Sequence, residues 1–414
     1  MQEKSWMLYD WANSIYVAVV MTTLLPIFFK SVTADYGLSN SVADSYWGYA
    51  TSAATLLISL FAPLLGALGD YSNMKMKIFK TFFYLGVFAT GMLFFSSSWR
   101  YIIVFYMISL VGYLGANLFY DALIVDVSSS DRMDKVSTYG YAVGYLGGSL
   151  LPLAAVILFL LRGDDFSSDL NPAIKISFLA TSAWWFVFTI PMLKNVRQVY
   201  SKEKEPHLVR SSFGTLYRTI KNISSYRSVF LFLVAYFFYI DGVNTIIHMA
   251  IIYGTTMGIS NLTLIGALLV TQVVTIPCTL ISGVLAKRFG SDRIILSGIA
   301  VYIVVCILAY NLQTDFDFWV ITVLVGTSQG GLQALSRSYF GKMIPKESSN
   351  EFFGFYDILG KFAAIMGPAL YGLFSQITGK SQYGVLSILI LFVVGGAVFL
   401  YASSYEKRRS RQSV

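Results

Sequence analysis

The sequence predicts an all-α integral membrane protein of twelve transmembrane helices arranged as two halves of six. Three observations carry that prediction. The chain has 414 residues, 56% hydrophobic and only 13% charged, with a mean hydropathy of +0.64; soluble domains carry roughly twice that charged share. Apolar stretches of the roughly 20 residues needed to cross a bilayer recur twelve times. The connections between them alternate between strongly basic and basic-poor, so the chain crosses at each stretch.

In chain order the first six spans fall at about 8–30, 46–69, 78–96, 101–126, 137–161 and 173–193. The second six fall at about 228–254, 262–286, 294–312, 317–341, 353–378 and 383–404. The divisions are a six-helix half at 1–193, a linker at 194–227, a second half at 228–404 and a basic tail at 405–414. The linker holds Phe213, Leu216, Tyr217, Ile220 and Ile223 at helical spacing opposite Arg210, Arg218 and Lys221, the pattern of an amphipathic helix lying on a membrane surface. The first apolar run is too long for a cleavable signal peptide. Cys278 and Cys306 sit in separate spans and read as buried small hydrophobes.

Charge placement fixes the expected orientation. Lys75, Lys77, Lys80, Arg132, Lys135, the linker bases, Lys287, Arg288, Arg293, Arg337, Lys342, Lys346 and the tail all fall on one side. The other side carries few bases beside Asp35, Asp44, Asp164, Asp165, Asp169 and Asp315. The positive-inside rule then puts both termini and the linker in the cytoplasm, in a multi-pass protein of the cell (inner) membrane. The formal charge of +8 is thereby a topology signal, and nucleic-acid binding is not needed to explain it. Spans 3, 6, 9 and 12 carry no charge in their interiors and are fit to face lipid.

Charges inside the bilayer are costly and mark function. Tyr9-Asp10-Trp11-Ala12-Asn13 places an acid and an amide on one face of span 1. Asp241 and Asn244, preceded by Tyr239, repeat that spacing in span 7. Asp121 in span 4, Arg337 near the end of span 10, and Asp357 with Lys361 in span 11 complete the set. Asp357 and Lys361 are four residues apart, the spacing of an intrahelical ion pair. Counted from the outer surface, all six charges lie in the cytoplasmic half; Asp10, for example, is roughly 30 Å down. Asp10, Asn13, Asp121, Asp241, Asn244, Arg337, Asp357 and Lys361 are therefore expected to form a cytoplasmic gate, acids of one half meeting bases of the other. Mid-depth is left to Tyr16, Tyr113, Asn117, Tyr145, His248, Gln272, Gln329 and Gln333, candidates for a central cavity suited to a small polar or zwitterionic solute. Gly140, Gly144 and Gly148 form a small-residue stripe on span 5, expected to pack against a helix of the other half.

Two connections repeat one pattern. Gly66, Gly69, Asp70 and Lys75 lie between spans 2 and 3, and Gly283, Gly290 and Arg293 between spans 8 and 9. Both resemble the G-x-L-a-D-r-x-G-r-k loop of the major facilitator superfamily. Its acid would cap a helix N-terminus and its bases would anchor to lipid phosphates. Asn73 stands in place of the second glycine, at a position where asparagine tolerates a left-handed conformation; Lys287 replaces the acid in the second copy. Four further stretches sharpen the likeness: Tyr9 to Ser14; Asn117 to Leu123; Gly326 to Gly331, running on to Arg337; and Glu351 to Tyr356, followed by Gly360-Lys361 and Gly367-Pro368. Together they resemble the autophagy-related vacuolar amino-acid effluxer family, the unknown major facilitator branch, along essentially the whole chain. The resemblance implies the major facilitator fold and, for fungal members, amino-acid export from the vacuole. The compact length fits a bacterial member.

The expected function is secondary active transport of a small polar solute, amino acids among the candidates, by alternating access, with proton coupling left open. Efflux of other small metabolites or drugs is the alternative within the class, and a non-transporting sensor or scaffold the alternative outside it. No nucleophile–base pair or zinc motif of an enzyme is present, nor a G-x-x-x-x-G-K-[ST] loop for direct nucleotide drive. No cofactor or metal site is expected. The expected partners are the solute and the bilayer, with no nucleic acid and with the chain a monomer.

Overall fold

The computed structural model describes residues 1–150, 171–203, 211–214 and 226–412. Fourteen α-helices run through them: α1 Gln2–Tyr16, α2 Leu24–Asp35, α3 Asn40–Gly69, α4 Met74–Met92, α5 Trp99–Ala122, α6 Ile124–Val127, α7 Met133–Gly144, α8 Asn171–Asn195, α9 Arg227–Thr256, α10 Asn261–Phe289, α11 Ser291–Tyr310, α12 Asp315–Met343, α13 Ser349–Thr378 and α14 Ser381–Gln412. Among the described residues, eleven helical stretches are long and apolar enough to span. The fifth predicted span is described only at its start, α7 and the π-helical Tyr145–Leu150; residues 151–170 lie outside the described set, as does most of the predicted linker helix. The basic stretch from 405 continues α14 without a break, since it holds no glycine or proline to stop it.

The first span is broken. Between α1 and α2 the backbone widens into a π-helix, Val17–Thr22. Thr22 and Thr23 both turn their hydroxyls back onto the Ala18 carbonyl, competing with the backbone ladder in the way that bends helices. This β-branched run reads as ordinary apolar sequence, so only the structure reveals the break.

The chain divides into two compact units that do not follow the sequence halves. Unit 1 comprises 1–127, 143–209 and 346–354; unit 2 comprises 128–142, 210–345 and 355–414. Two helices therefore change unit along their length: α7 begins in unit 2, and α13 begins in unit 1.

In unit 1, α1 is an aromatic spine. Trp6 stacks on Tyr120 and donates its indole N–H to the Tyr120 carbonyl at 2.9 Å. Tyr16 stacks on Tyr113, and Trp11 on Trp184 of α8. The glycine stripe serves this packing. A Cβ at Gly144 would lie 3.0 Å from Ser14 Oγ, and one at Gly148 would overlap the Ser14 side chain. For two of the three glycines the predicted partner in the other half is thus corrected: Gly144 and Gly148 seat α1, whose Ser14 leaves room only for hydrogen.

In unit 2, α9 lies along α14 and α10 along α12, at small residues. Gly395 faces the backbone of Tyr239, Gly242 the ring of Phe392, and Gly326 the Val274 side chain and Thr271 carbonyl. The helices with no charge in their span interiors, α4, α8, α11 and α14, carry exposed apolar residues such as Phe88, Val187, Ile307 and Val393. So do α3 and α10, through Leu60 and Val284, so the period of three is not exclusive.

Candidate functional site

In each unit a cluster of hydrogen-bonded charged groups sits at helix ends. In unit 1, Asp70 follows the last residue of α3. Its Oδ1 accepts from the Asn350 backbone N–H at 2.9 Å and from Asn350 Nδ2 at 3.1 Å, and its Oδ2 accepts from the Glu351 N–H at 3.2 Å. A carboxylate thus caps the opening of α13, where free N–H groups and the helix dipole both favour negative charge. The approach is close because Gly66 has no side chain: a Cβ there would collide with the Asn350 carbonyl. Gly69 gives way to Phe119 and Asn350 in the same manner. Asn73 adopts the left-handed conformation at φ 64° that turns the chain into α4.

Two turns away lies a pair to which the sequence reading gave the wrong surroundings. Lys75, expected at lipid phosphates, is fully buried and donates to Asp126 Oδ2 at 2.6 Å and Ser349 Oγ at 2.9 Å. Asp126 was not singled out in the sequence; its other oxygen accepts from the N–H groups of Val199 and Tyr200. Around this pair, residues 196–203 form an extended strap. Gln198 donates to the Gly69 carbonyl and accepts from the Lys75 N–H. Lys202 bonds the backbone of Asp70 and Ser72, and its ammonium lies 3.5 Å from Glu351 and 3.8 Å from Asp70. Lys346 donates to the Tyr200 hydroxyl and sits over its ring. Burial pushes the Asp70 carboxyl up to about 7, against the pull of Lys202, Lys75 and the Asn350 N–H.

Unit 2 holds a second cluster. Asp134, in the first turn of α7, accepts from Ser291 at 2.7 Å and Lys342 at 2.5 Å on one oxygen, and from Ser338 at 2.6 Å on the other. Here the acid belongs to the segment that changes unit, and the base to the end of α12. Gly283 of the second loop motif lies against Thr138, whose side chain a Cβ would strike. Gly290 takes φ +94° between α10 and α11. Arg293 forms no ion pair among the described residues.

The expected gate residues sort differently from their predicted pairing. Asp10 accepts from the Tyr120 hydroxyl at 2.6 Å. Asn13 donates to Asn117 at 2.7 Å, which moves Asn117 from cavity candidate to partner of the gate amide. Asp357 and Lys361 pair within α13 at 2.5 Å. Arg337 is buried in unit 2, donates to the Ser137 hydroxyl and carbonyl and stacks over Tyr141 at 4.4 Å. Asp241, expected to meet a base, instead accepts the Gly367 backbone N–H at 2.7 Å and is wholly buried. Asn244, its companion amide, is half-buried and makes no hydrogen bond among the described residues. The repeat of acid and amide is therefore one of spacing only. Asp121 is half-buried in α5.

Of the cavity candidates, Tyr16 shares a hydrogen bond with Ser109 and is packed into the spine with Tyr113. Tyr145 opens the π-helical segment of the fifth span. Gln329 is buried and Gln333 half-buried on α12. The buried Gln272 carbonyl oxygen has no partner among the described residues. His248 is exposed. No group of three potential ligands for a metal occurs among the described residues.

Comparison with known proteins places this arrangement. The family described as "Vacuole effluxer Atg22 like" matches residues 2–413. The chain belongs to that family. A relative from Bacillus subtilis (strain 168), "Uncharacterized MFS-type transporter YxiO", is 47% identical over 403 residues, covering 97% of this chain and 94% of the relative. "Autophagy-related protein 22-2" of Aspergillus oryzae is 26% identical over 307 residues, 66% of this chain; the match spans 51%, about half, of that longer protein. Among solved structures, the major facilitator transporter FucP in its outward conformation superposes with a TM-score of 0.76 at 13% identity, covering 96% of this chain and 98% of FucP. A bacterial homologue of the iron transporter ferroportin gives 0.71 at 15% identity, covering 98% and 100%. This member of the Atg22-like family therefore has the major facilitator fold and is a multi-pass membrane transporter of that superfamily, not an enzyme.

Proposed function

We propose that the protein is a secondary active transporter that moves small polar solutes, amino acids foremost, by alternating access. The observation that carries this reading is the pair of helices that change unit. The start of α13 is held by Asp70 and Lys75 in unit 1, and the start of α7 by Ser291, Ser338 and Lys342 in unit 2. Each hold consists of directional polar bonds that are either made or broken. A latch with two discrete settings is what a two-state transporter needs. In this reading the latches lie on the cytoplasmic side with both termini, in the inner membrane, and the chain works as a monomer. Asp10, Asn13, Asp121, Asn244, Arg337, Asp357 and Lys361 line the inner mouth in this reading, while Asp241 is sealed against Gly367 away from it; Tyr145, Gln272, Gln329 and Gln333 are the groups offered to the solute.

The name of the family, an effluxer, favours export, and the amino-acid assignment follows from the same resemblance. The test is flux in liposomes with radiolabelled amino acids, nucleosides and sugars, with and without a pH gradient. Saturable uptake of amino acids above that of empty liposomes supports the reading. Uptake confined to other solutes would sink the amino-acid assignment, and binding to purified protein with no flux would identify a sensor. For the gate, Asp121→Ala and Arg337→Ala made singly and together should be non-additive in transport rate; additive losses would remove that pair.

A further inference from the structure

Asp241 lies in the middle of α9, fully buried, in a helix that crosses the membrane. Its Oδ1 accepts the Gly367 N–H from α13 at 2.7 Å, with the Thr245 hydroxyl at 3.5 Å. Its Oδ2 is wholly enclosed and has no hydrogen-bond partner among the described residues. The contact is built rather than incidental. A Cβ at Gly367 would overlap both Thr245 Oγ1 and Asp241 Oδ1, so only glycine lets α13 come this near, and Pro368 follows directly.

Among the described residues no cation pairs with the carboxylate. On its own helix the titratable groups are Arg227 at its start, Tyr236, Tyr239, which is bonded to Ser336, His248, seven residues on, and Tyr253. On α13 they are Glu351, Tyr356 and Tyr371, with Asp357 and Lys361, which satisfy each other. On α12 they are Asp315 and Asp317 in the first turn, Arg337, held by Ser137 and Tyr141, Tyr339, and Lys342, which pairs with Asp134. On α10 the charges are Lys287 and Arg288, in its last turn, and α14 carries none between Ser381 and Tyr405. None of them bonds Asp241. An ionised carboxylate with one bare oxygen in such surroundings costs several kcal/mol, whereas a carboxylic acid needs no counter-ion. A metal cation does not fit either, because hard cations require about six oxygen ligands and, among the described residues, only Thr245 adds one here.

We propose that Asp241 is a proton-binding site, occupied in this arrangement, with the proton on Oδ2 and the Gly367 N–H on Oδ1. Release breaks the Oδ2–H bond, passes the proton to water and leaves the carboxylate. It requires α9 and α13 to separate enough to admit that water. Uptake reverses each step. The use of this site to couple a proton gradient to solute movement rests on the transport reading above; the site itself does not.

Two measurements test it on the full-length protein in lipid. Infrared difference spectra across a pH titration should contain the carbonyl band of a protonated, weakly bonded carboxylic acid. The band should be lost in Asp241→Asn, whose amide oxygen can still accept from Gly367, and displaced in Asp241→Glu. A band unchanged in both variants would overturn the site, as would its absence from the parent protein. In liposomes loaded with a pH-sensitive dye and given labelled amino acids, Asp241→Asn should lose gradient-driven accumulation at least tenfold while keeping exchange of labelled for unlabelled solute. Gradient-driven accumulation equal to the parent's would overturn the coupling role. If the parent moves no amino acid, the transport reading fails and the infrared band alone decides the proton site.

Discussion

Lys75 and Asp126 form an ion pair at 2.6 Å in which neither side chain is exposed. Removing one partner of a buried pair leaves the other charge uncompensated, at a cost of about 3–5 kcal/mol. Lys75→Met should therefore lower the unfolding temperature of the purified protein sharply. Asp126→Asn in the Lys75→Met background should recover part of the loss, because an amide oxygen can still accept from Val199 and Tyr200. Equal melting of Lys75→Met and the parent would show the pair to be energetically idle.

Asp70 should make stability depend on pH with a sign opposite to that of a surface carboxylate. Its folded value, about 7, lies above the unfolded value near 4. The folded state therefore holds the proton more tightly, and stability falls as pH rises from about 4 to 7. Lys202, Lys75 and Glu351 are the charged groups that face it. Thermal unfolding of Asp70→Asn between pH 5 and 8 should follow a flatter curve than the parent; parallel curves would exclude Asp70 as the source.

Two glycines of α3 should respond in opposite directions to alanine. A Cβ at Gly66 would press into the Asn350 carbonyl, 2.7 Å from its carbon, while one at Gly48 would meet nothing within 4 Å. Gly66→Ala should cost about 1–3 kcal/mol through overpacking, and Gly48→Ala should gain roughly 0.5–1 kcal/mol from helix propensity. Differential scanning fluorimetry of the two variants checks the pair of signs.

Arg337→Lys should not be conservative. The guanidinium divides its bonds between the hydroxyl and carbonyl of Ser137 while lying flat over Tyr141, and an ammonium cannot do both. Transport should fall about tenfold, corresponding to about 1.4 kcal/mol, with surface expression unchanged.

His248→Gln should leave the pH dependence of transport intact. The histidine is exposed and forms no hydrogen bond among the described residues, so nothing ties its protonation to the packing of α9. Flux measured from pH 5.5 to 8 would show a displaced profile if that were incorrect.

The fold was readable because a bilayer imposes length and charge asymmetry on the chain, and both survive in a single sequence. The loop glycines, Asn73 and Asp70 were readable because a tight turn and a helix cap each demand particular residue types. The surroundings of Lys75 and Asp126 were not. Charge counting treats every base at a helix end alike, and nothing local distinguishes a lysine facing lipid phosphate from one sealed against an aspartate 51 residues on. A second acid at the end of span 4, five residues after Asp121, was the available signal. Asp241 misled for a related reason. Its spacing to Asn244 copies Asp10 and Asn13, but its partner is a backbone N–H, which has no signature beyond the glycine that admits it.

The reach between Asp70 and Asn350, 280 residues, bears on how the chain is made. Synthesis proceeds from the N-terminus, so the first six spans can be inserted long before α13 exists. Throughout that interval Asp70 lacks the amides that cap it, and Lys75 lacks Ser349. The nascent first half is thus an unfinished body whose polar end stays open until nearly seven-eighths of the protein has been translated. Truncations ending just before or just after residue 354 should differ abruptly in their resistance to protease, the longer one closing what the shorter leaves exposed.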